Sequence, residues 1–151
     1  MRQRSEQQNV HQSAILLDHL ARRMRVRSEA ALAPFRLRVR HLIALTLLRE
    51  RGDSPQQQLA VALERDGTNV VGLLNELEAE KLVERIRSPQ DRRRHVVRLT
   101  AAGVRRLSEA EAVLVDVERE VFAALDADQR ESLYHLLRQA MAGQEVPGMG
   151  D

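Results

Sequence analysis

Between residues 81 and 98, Lys81, Arg85, Arg87, Arg92, Arg93, Arg94 and Arg98 stand against only Glu84 and Asp91. Guanidinium groups at this density suit a polyanion, because each can donate to phosphate oxygens and release a condensed counterion. Just upstream, Thr68, Gly72, Asn75, Glu76 and Ala79 recur at helical spacing, flanked by Asn69 and Val71. That stripe is small and polar near its start, as a helix approaching base edges end-on needs. Residues 109–131 reverse the balance, with eight acids against Arg119 and Arg130. A basic end and an acidic end would orient one small protein on a polyanion.

The stripe requires a helix and the arginines require a hairpin. Val70, Leu73, Leu74 and Leu77 supply the opposite, apolar face of a helix from about Thr68 to Glu80. The β-branched runs Leu82–Arg87 and His95–Leu99 read as two strands, joined by the turn residues Ser88-Pro89-Gln90-Asp91. Asp91 can pair with Arg93 to stiffen the tip, leaving neighbouring guanidinium groups for phosphate or a minor groove. Before the stripe, Ser54 suits an N-cap, Pro55 the first helical position and Gln57 a capping box. Leu59, Ala60 and Leu63 form that helix's inner face, and Glu64-Arg65-Asp66-Gly67 a tight turn. Taken singly, these features also fit a plain surface helix and a solvated charge run. In the order helix, helix, basic hairpin they suit a winged helix-turn-helix, with its second helix in a major groove and its hairpin in an adjacent minor groove.

The flanks are helical. From Val10, apolar residues recur at Ala14, Leu17, Leu20 and Met24, and Arg22, Arg23, Arg25 and Arg27 close the helix. A second helix is expected from about Ser28 or Phe35 to Arg49, with Pro34 as a break and Leu37, Leu42, Leu45 and Leu48 inward. Arg51-Gly52-Asp53 ends it. Thr100 caps a helix reaching about Ala124, in which Leu107, Ala110, Leu114, Val117, Val121 and Ala124 form a coiled-coil-like seam. At 1.5 Å per residue it is roughly 35 Å long, comparable to one turn of DNA. Asp126 with Gln129 opens a last helix carrying Leu133, Leu136, Leu137, Ala140 and Met141, which Gly143 and Pro147 end. A lone subunit could not easily cover so many apolar faces, so the terminal helices predict a homodimer.

Composition narrows the function. With 151 residues, 43% hydrophobic and 30% charged, the chain fits one domain with a real core. Aromatics at 2% argue against stacking single-stranded bases. The absence of Cys excludes disulfides, thiolate metal sites and cysteine-based redox sensing. No apolar run is long enough to span a bilayer and the polar N-terminus has no signal-like segment, so the expected location is cytoplasmic, with no membrane partner. His11, His19, His41, His95 and His135 show no close metal-ligand spacing. No nucleophile motif, phosphate-binding glycine loop or cofactor fingerprint is present, so neither an enzyme, a cofactor nor a metal is expected.

The stretch SPQDRRRHVVRLTAAG resembles the wing signature of the multiple-antibiotic-resistance regulator (MarR) family, and LNELEAEKLVERI resembles that family's exit from the recognition helix. The resemblance covers nearly the whole chain. It implies a mostly α fold with a small β-hairpin wing, a winged helix-turn-helix with long N- and C-terminal dimerisation helices. The expected layout is one domain over 1–151: dimerisation helices at 10–33 and 101–142, a winged lobe at 35–100, and tails at 1–9 and 143–151. It also implies a homodimeric, ligand-responsive repressor of double-stranded, pseudo-palindromic operator DNA, released by a small aromatic or anionic effector. Carried onto this sequence, the wing-tip role falls on Arg93, braced by Asp91 and assisted by Arg92 and Arg94. Base reading falls on Thr68, Asn69, Gly72 and Asn75, and Ser54, Gln56 and Gln57 sit near the DNA backbone. The family's effector pocket lies between the dimer helices and the DNA-binding lobe, where Arg23 and Arg38 could offer a cation and His41 could line the wall. The arginines equally fit solvated or phosphate-touching roles, and His41 a satisfied structural one. Many relatives are basic where Gly72 and Glu76 stand. Glu76, Glu78 and Glu80 make the helix electronegative toward its end, and Glu76 either accepts from a cytosine amino group or faces away. That acidity motivates an alternative: a winged-helix protein-interaction module without DNA binding.

Overall fold

The computed structural model describes residues 2–63 and 67–144, with side chains at 12–63 and 69–144. Helix α1 (Arg2–Leu32) takes in residues 2–9, for which the polar composition predicted a frayed tail. Its Arg, Gln and Glu residues are good helix formers, so no buried face is needed to continue the helix there. Pro34 breaks the chain as expected: α1 gives way to a 3-10 turn at Ala33–Phe35, closed by Arg36 at φ 56. Helix α2 (Val39–Arg51) starts later than the periodicity suggested, leaving Leu37 buried in the connection. Gly52, at φ 76, ends it with its N–H on the Leu48 carbonyl at 2.9 Å. Few side chains tolerate that φ.

The segment after Gly52 corrects the sequence reading. Ser54 does not cap a helix. Ser54–Pro55 instead form strand β1, and helix α3 (Gln56–Ala62) begins after it with no side-chain cap. The Ser54 side chain is buried, and its hydroxyl donates to the Gly52 carbonyl at 2.9 Å. Pro55 is extended (φ −58, ψ 139) and lacks an N–H, which an edge position tolerates. Helix α4 (Gly67–Ala79) carries the polar stripe. The connecting turn at Glu64-Arg65-Asp66 and the Thr68 side chain lie outside the described residues, as does 145–151 with Pro147.

Strands β2 (Val83–Arg87) and β3 (His95–Leu99) form the expected antiparallel hairpin, from Val83 opposite Leu99 to Arg87 opposite His95. β1 adds to the other side of β3, Ser54 opposite Val97, giving the order β1-β3-β2. Beneath them Leu45, Leu48, Leu59, Val70, Leu74, Leu77, Leu82, Val97 and Leu107 are almost wholly inaccessible to solvent. Lys81, at φ 57, turns the chain from α4 into β2. Thr100 then caps helix α5 (Ala101–Val121): its hydroxyl accepts from the Gly103 N–H at 3.0 Å and donates to the Lys81 carbonyl at 2.7 Å.

The seam on α5 is spent inside the protomer. Leu107, Ala110, Val117 and Val121 are buried, largely against α1 and α2, and only Ala124, past the helix end, is exposed. Arg27 meets Glu120 at 2.6 Å while Arg106 donates to the Phe35 carbonyl at 2.6 Å, so α1 and α5 run antiparallel. From Arg27 back to Gln12 is about 22 Å of helix at 1.5 Å per residue, so the first half of α1 overhangs α5. Ile15, Leu16 and Leu17 on that overhang are exposed. Helix α6 (Ala127–Ala140) opens with the expected Asp126–Gln129 capping box, buries no residue fully and exposes Tyr134, Leu136 and Leu137, as does Met141 just beyond it. Among the described residues no helix is long and apolar enough to cross a membrane.

Candidate nucleic-acid interface

Val70, Leu73, Leu74 and Leu77 anchor α4 in the core, which turns Asn69, Val71, Gly72, Asn75 and Ala79 outward. At Gly72 an added Cβ would meet nothing within 4 Å, so the protomer itself gives no steric reason for a glycine there. The three acids that close the helix do not face outward as free charges. Glu76 is gripped by Arg40, whose Nη2 donates to both carboxylate oxygens at 2.9 and 2.8 Å, and by His41 Nε2 at 2.6 Å. Glu80 pairs with Arg36 at 3.1 Å, and Glu78 pairs with Arg85 of β2. The hydrogen bond from His41 and those from Arg40 hold the Glu76 carboxyl below its ordinary pKa. Of the two readings of Glu76 open in the sequence, it turns toward its own protein.

His41 is buried, and its hydrogen bonds define its tautomer. The Arg38 N–H donates to Nδ1 at 3.0 Å, so the proton sits on Nε2 and points at Glu76. The same bond completes a capping box at the start of α2. His41 therefore joins the first turn of α2 to the middle of α4. Arg36, Arg38 and His41 line one cleft of about 580 Å³ with Glu29, Ala33 and Leu37. A neighbouring cleft shares Arg36, Leu37 and His41 and continues along Glu76, Leu77 and Glu80. Arg23, exposed on α1, lines neither.

At the wing tip, Asp91 works differently from the pairing the sequence suggested. Its Oδ1 accepts from the Arg93 backbone N–H at 3.0 Å, and its other oxygen faces Arg94 Nε at 3.6 Å. The loop is closed by Ser88 N–H on the Arg94 carbonyl at 2.8 Å and Arg94 N–H on the Asp91 carbonyl at 2.9 Å. Arg92 and Arg93 are left exposed, their guanidinium groups without a partner among the described residues. At the base of the hairpin Asp53 binds Arg98 at 2.7 Å, and that bond lowers the Asp53 pKa. Gln57 is exposed and Gln56 half-buried beside it, whereas Ser54 is turned inward.

Sequence reasoning missed Arg85. It is mostly buried, its Nη1 donates to Glu78 and its Nη2 donates to Asn75 Oδ1 at 2.8 Å, so it ties the wing strand to the outward stripe. Its place in a charge-rich strand gave no hint of a neighbour ten residues back in a helix.

Two helices followed by an arginine-tipped hairpin, with β1 from before them completing a three-stranded sheet, define a winged helix-turn-helix protein. The model of the MarR family matches residues 38–95. The chain is 34% identical over 84 residues to the "putative transcriptional regulatory protein for hcr operon" of Thauera aromatica, matching 56% of this chain and 51% of that protein, about half its length. It is 29% identical over 106 residues to the "HTH-type transcriptional repressor NicR" of Pseudomonas putida, matching 70% of this chain and 67% of NicR. Its fold is similar to a MarR family transcriptional regulator from Rhodococcus (TM-score 0.76, 25% identity, 91% and 97% of the two chains). It is similar also to CouR from Rhodococcus jostii bound to p-coumaroyl-CoA (TM-score 0.69, 27% identity, 88% and 94%). Residues 38–95 are thus a MarR family domain.

Proposed function

We propose that the protein is a homodimeric repressor that binds pseudo-palindromic operator DNA and lets go when a small anionic or aromatic ligand binds. The observation that carries the reading is a division of labour among charges. Every acid of α4 is neutralised by an arginine of its own chain, while Arg92 and Arg93 at the wing tip keep theirs unspent. Phosphates are the partner such unspent guanidinium groups fit. Asn69, Gly72 and Asn75 on α4 would meet base edges, with Thr68 beside them, and Gln56 and Gln57 would approach the backbone. The internal pairing of Glu76, Glu78 and Glu80 also removes the electronegativity that motivated a DNA-free interaction module. Catalysis has no part in this function, and its place is with the DNA in the cytoplasm.

The ligand reading rests on the cleft at Arg36, Arg38 and His41. A carboxylate there would compete with Glu80 for Arg36 and with Glu76 for His41, loosening two of the three ties on α4. The test is a titration against labelled duplex from the gene's own upstream region at 50 and 200 mM salt. Nanomolar, sequence-preferring binding that weakens by orders of magnitude over that range is expected. Binding that ignores sequence and salt, or none, would overturn the proposal.

A further inference from the structure

A carboxamide is ambivalent by itself: rotation by half a turn exchanges its acceptor for its donor. Free asparagine uses both at once and so matches adenine, which offers N7 as acceptor and N6–H2 as donor. The Asn75 side chain is not free. Arg85 has no acceptor to offer, so the atom within 2.8 Å of its Nη2 is the amide oxygen, and the amide nitrogen is the end left to point away. Arg85 is itself held from the other side by Glu78, and its side chain is only 21% exposed, so it is a fixed post. The second lone pair of Asn75 Oδ1 lies beside a guanidinium cation, whose charge repels an incoming amino donor.

We infer that Arg85 sets the base preference of Asn75, converting it into a hydrogen-bond donor that selects guanine or thymine. Guanine presents two acceptors, O6 and N7, to such a donor, and thymine presents O4; adenine offers N7 alone and sets its N6 amino group against the donor, and cytosine presents only its N4 amino group. Arg85 thus acts as a positioning residue from a wing strand, without touching a base. This inference rests on the reading that α4 faces the major groove.

The experiment is selection of duplexes from a random-sequence library by the full-length protein, followed by affinities for single-base variants of the enriched site. Wild type is compared with Asn75→Ala, Arg85→Lys and the charge-neutral pair Arg85→Met with Glu78→Gln. Asn75→Ala should flatten one position of each half-site, and wild type should carry guanine or thymine there. The double variant should admit adenine at that position, with its disadvantage of roughly tenfold falling to near parity, and other positions unchanged. Arg85→Lys, which keeps a cationic donor, should retain the wild-type preference. Adenine at the position in wild type, or an unchanged preference in a double variant that still dimerises and binds, overturns the inference. Enrichment of nothing by wild type would instead overturn the DNA-binding reading beneath it.

Discussion

Arg93 is held by its backbone, through Asp91, while its guanidinium reaches solvent without a partner among the described residues. A group so placed contacts phosphate or a groove floor without knowing the sequence above it. Arg93→Ala should therefore weaken all duplexes alike, or those with narrow A·T-rich minor grooves most. In a salt titration the slope should fall by about 1. Gly72 makes the complementary case. A glycine inside a helix costs about 1 kcal/mol relative to alanine, and nothing in the protomer approaches where a Cβ would stand. Gly72→Ala should raise the unfolding free energy by up to about 1 kcal/mol and lower DNA affinity. A thermal melt paired with a binding titration reads both. A rise in both quantities would mean that no partner comes close to that face.

At the scale of elements, α4 is tied to its surroundings by charge as well as by its leucines. The Glu76 carboxyl is depressed in the folded protein, first by its bond to His41 and then by Arg40. A depressed carboxyl stabilises the fold fully above its unfolded pKa of about 4.3 and loses that contribution as pH falls through the folded value. Glu76→Gln should therefore melt lower than wild type at pH 7, and the gap should close on acidification below about pH 4. Melting curves across that range decide it. The junction of β2 and α5 tolerates even less change. A Cβ at Gly103 would lie 2.1 Å from the Leu82 carbonyl oxygen and 2.6 Å from Leu99 Cδ1. The nearer atom is backbone and already accepts from the Thr100 N–H, so it cannot step aside. Gly103→Ala should cost about 3 kcal/mol in denaturant titration, the upper end for overpacking.

For the whole molecule, the exposed leucines among the described residues lie near the two chain ends. Ile15, Leu16 and Leu17 on the overhang of α1 and Leu136, Leu137 and Met141 at α6 are all at least 40% exposed. Surfaces of that kind mark association sites. Leu16→Glu with Leu136→Glu should shift the protein from dimer to monomer in sedimentation equilibrium. A monomer presents one wing and one stripe instead of two spaced sets, so operator affinity should fall at least a hundredfold, while the winged lobe keeps its fold by circular dichroism. A double variant that still sediments as a dimer would place the interface elsewhere.

Local chemistry alone was enough for α4, the β2–β3 hairpin, the break at Pro34, the stop at Gly52 and the caps at Thr100 and Asp126, because each depends on residues within a turn or two of one another. Strand β1 escaped notice for a related reason: two residues have no period, and Ser54-Pro55 carries the same signature as a helix start. What faced what had to await tertiary structure. The α5 seam could as well have met a second copy as its own α1. Arg40 lies 36 residues from Glu76 and Arg85 ten from Asn75. Ion pairs and hydrogen bonds act over a few ångströms of space, and a sequence records order along the chain, not distance across it.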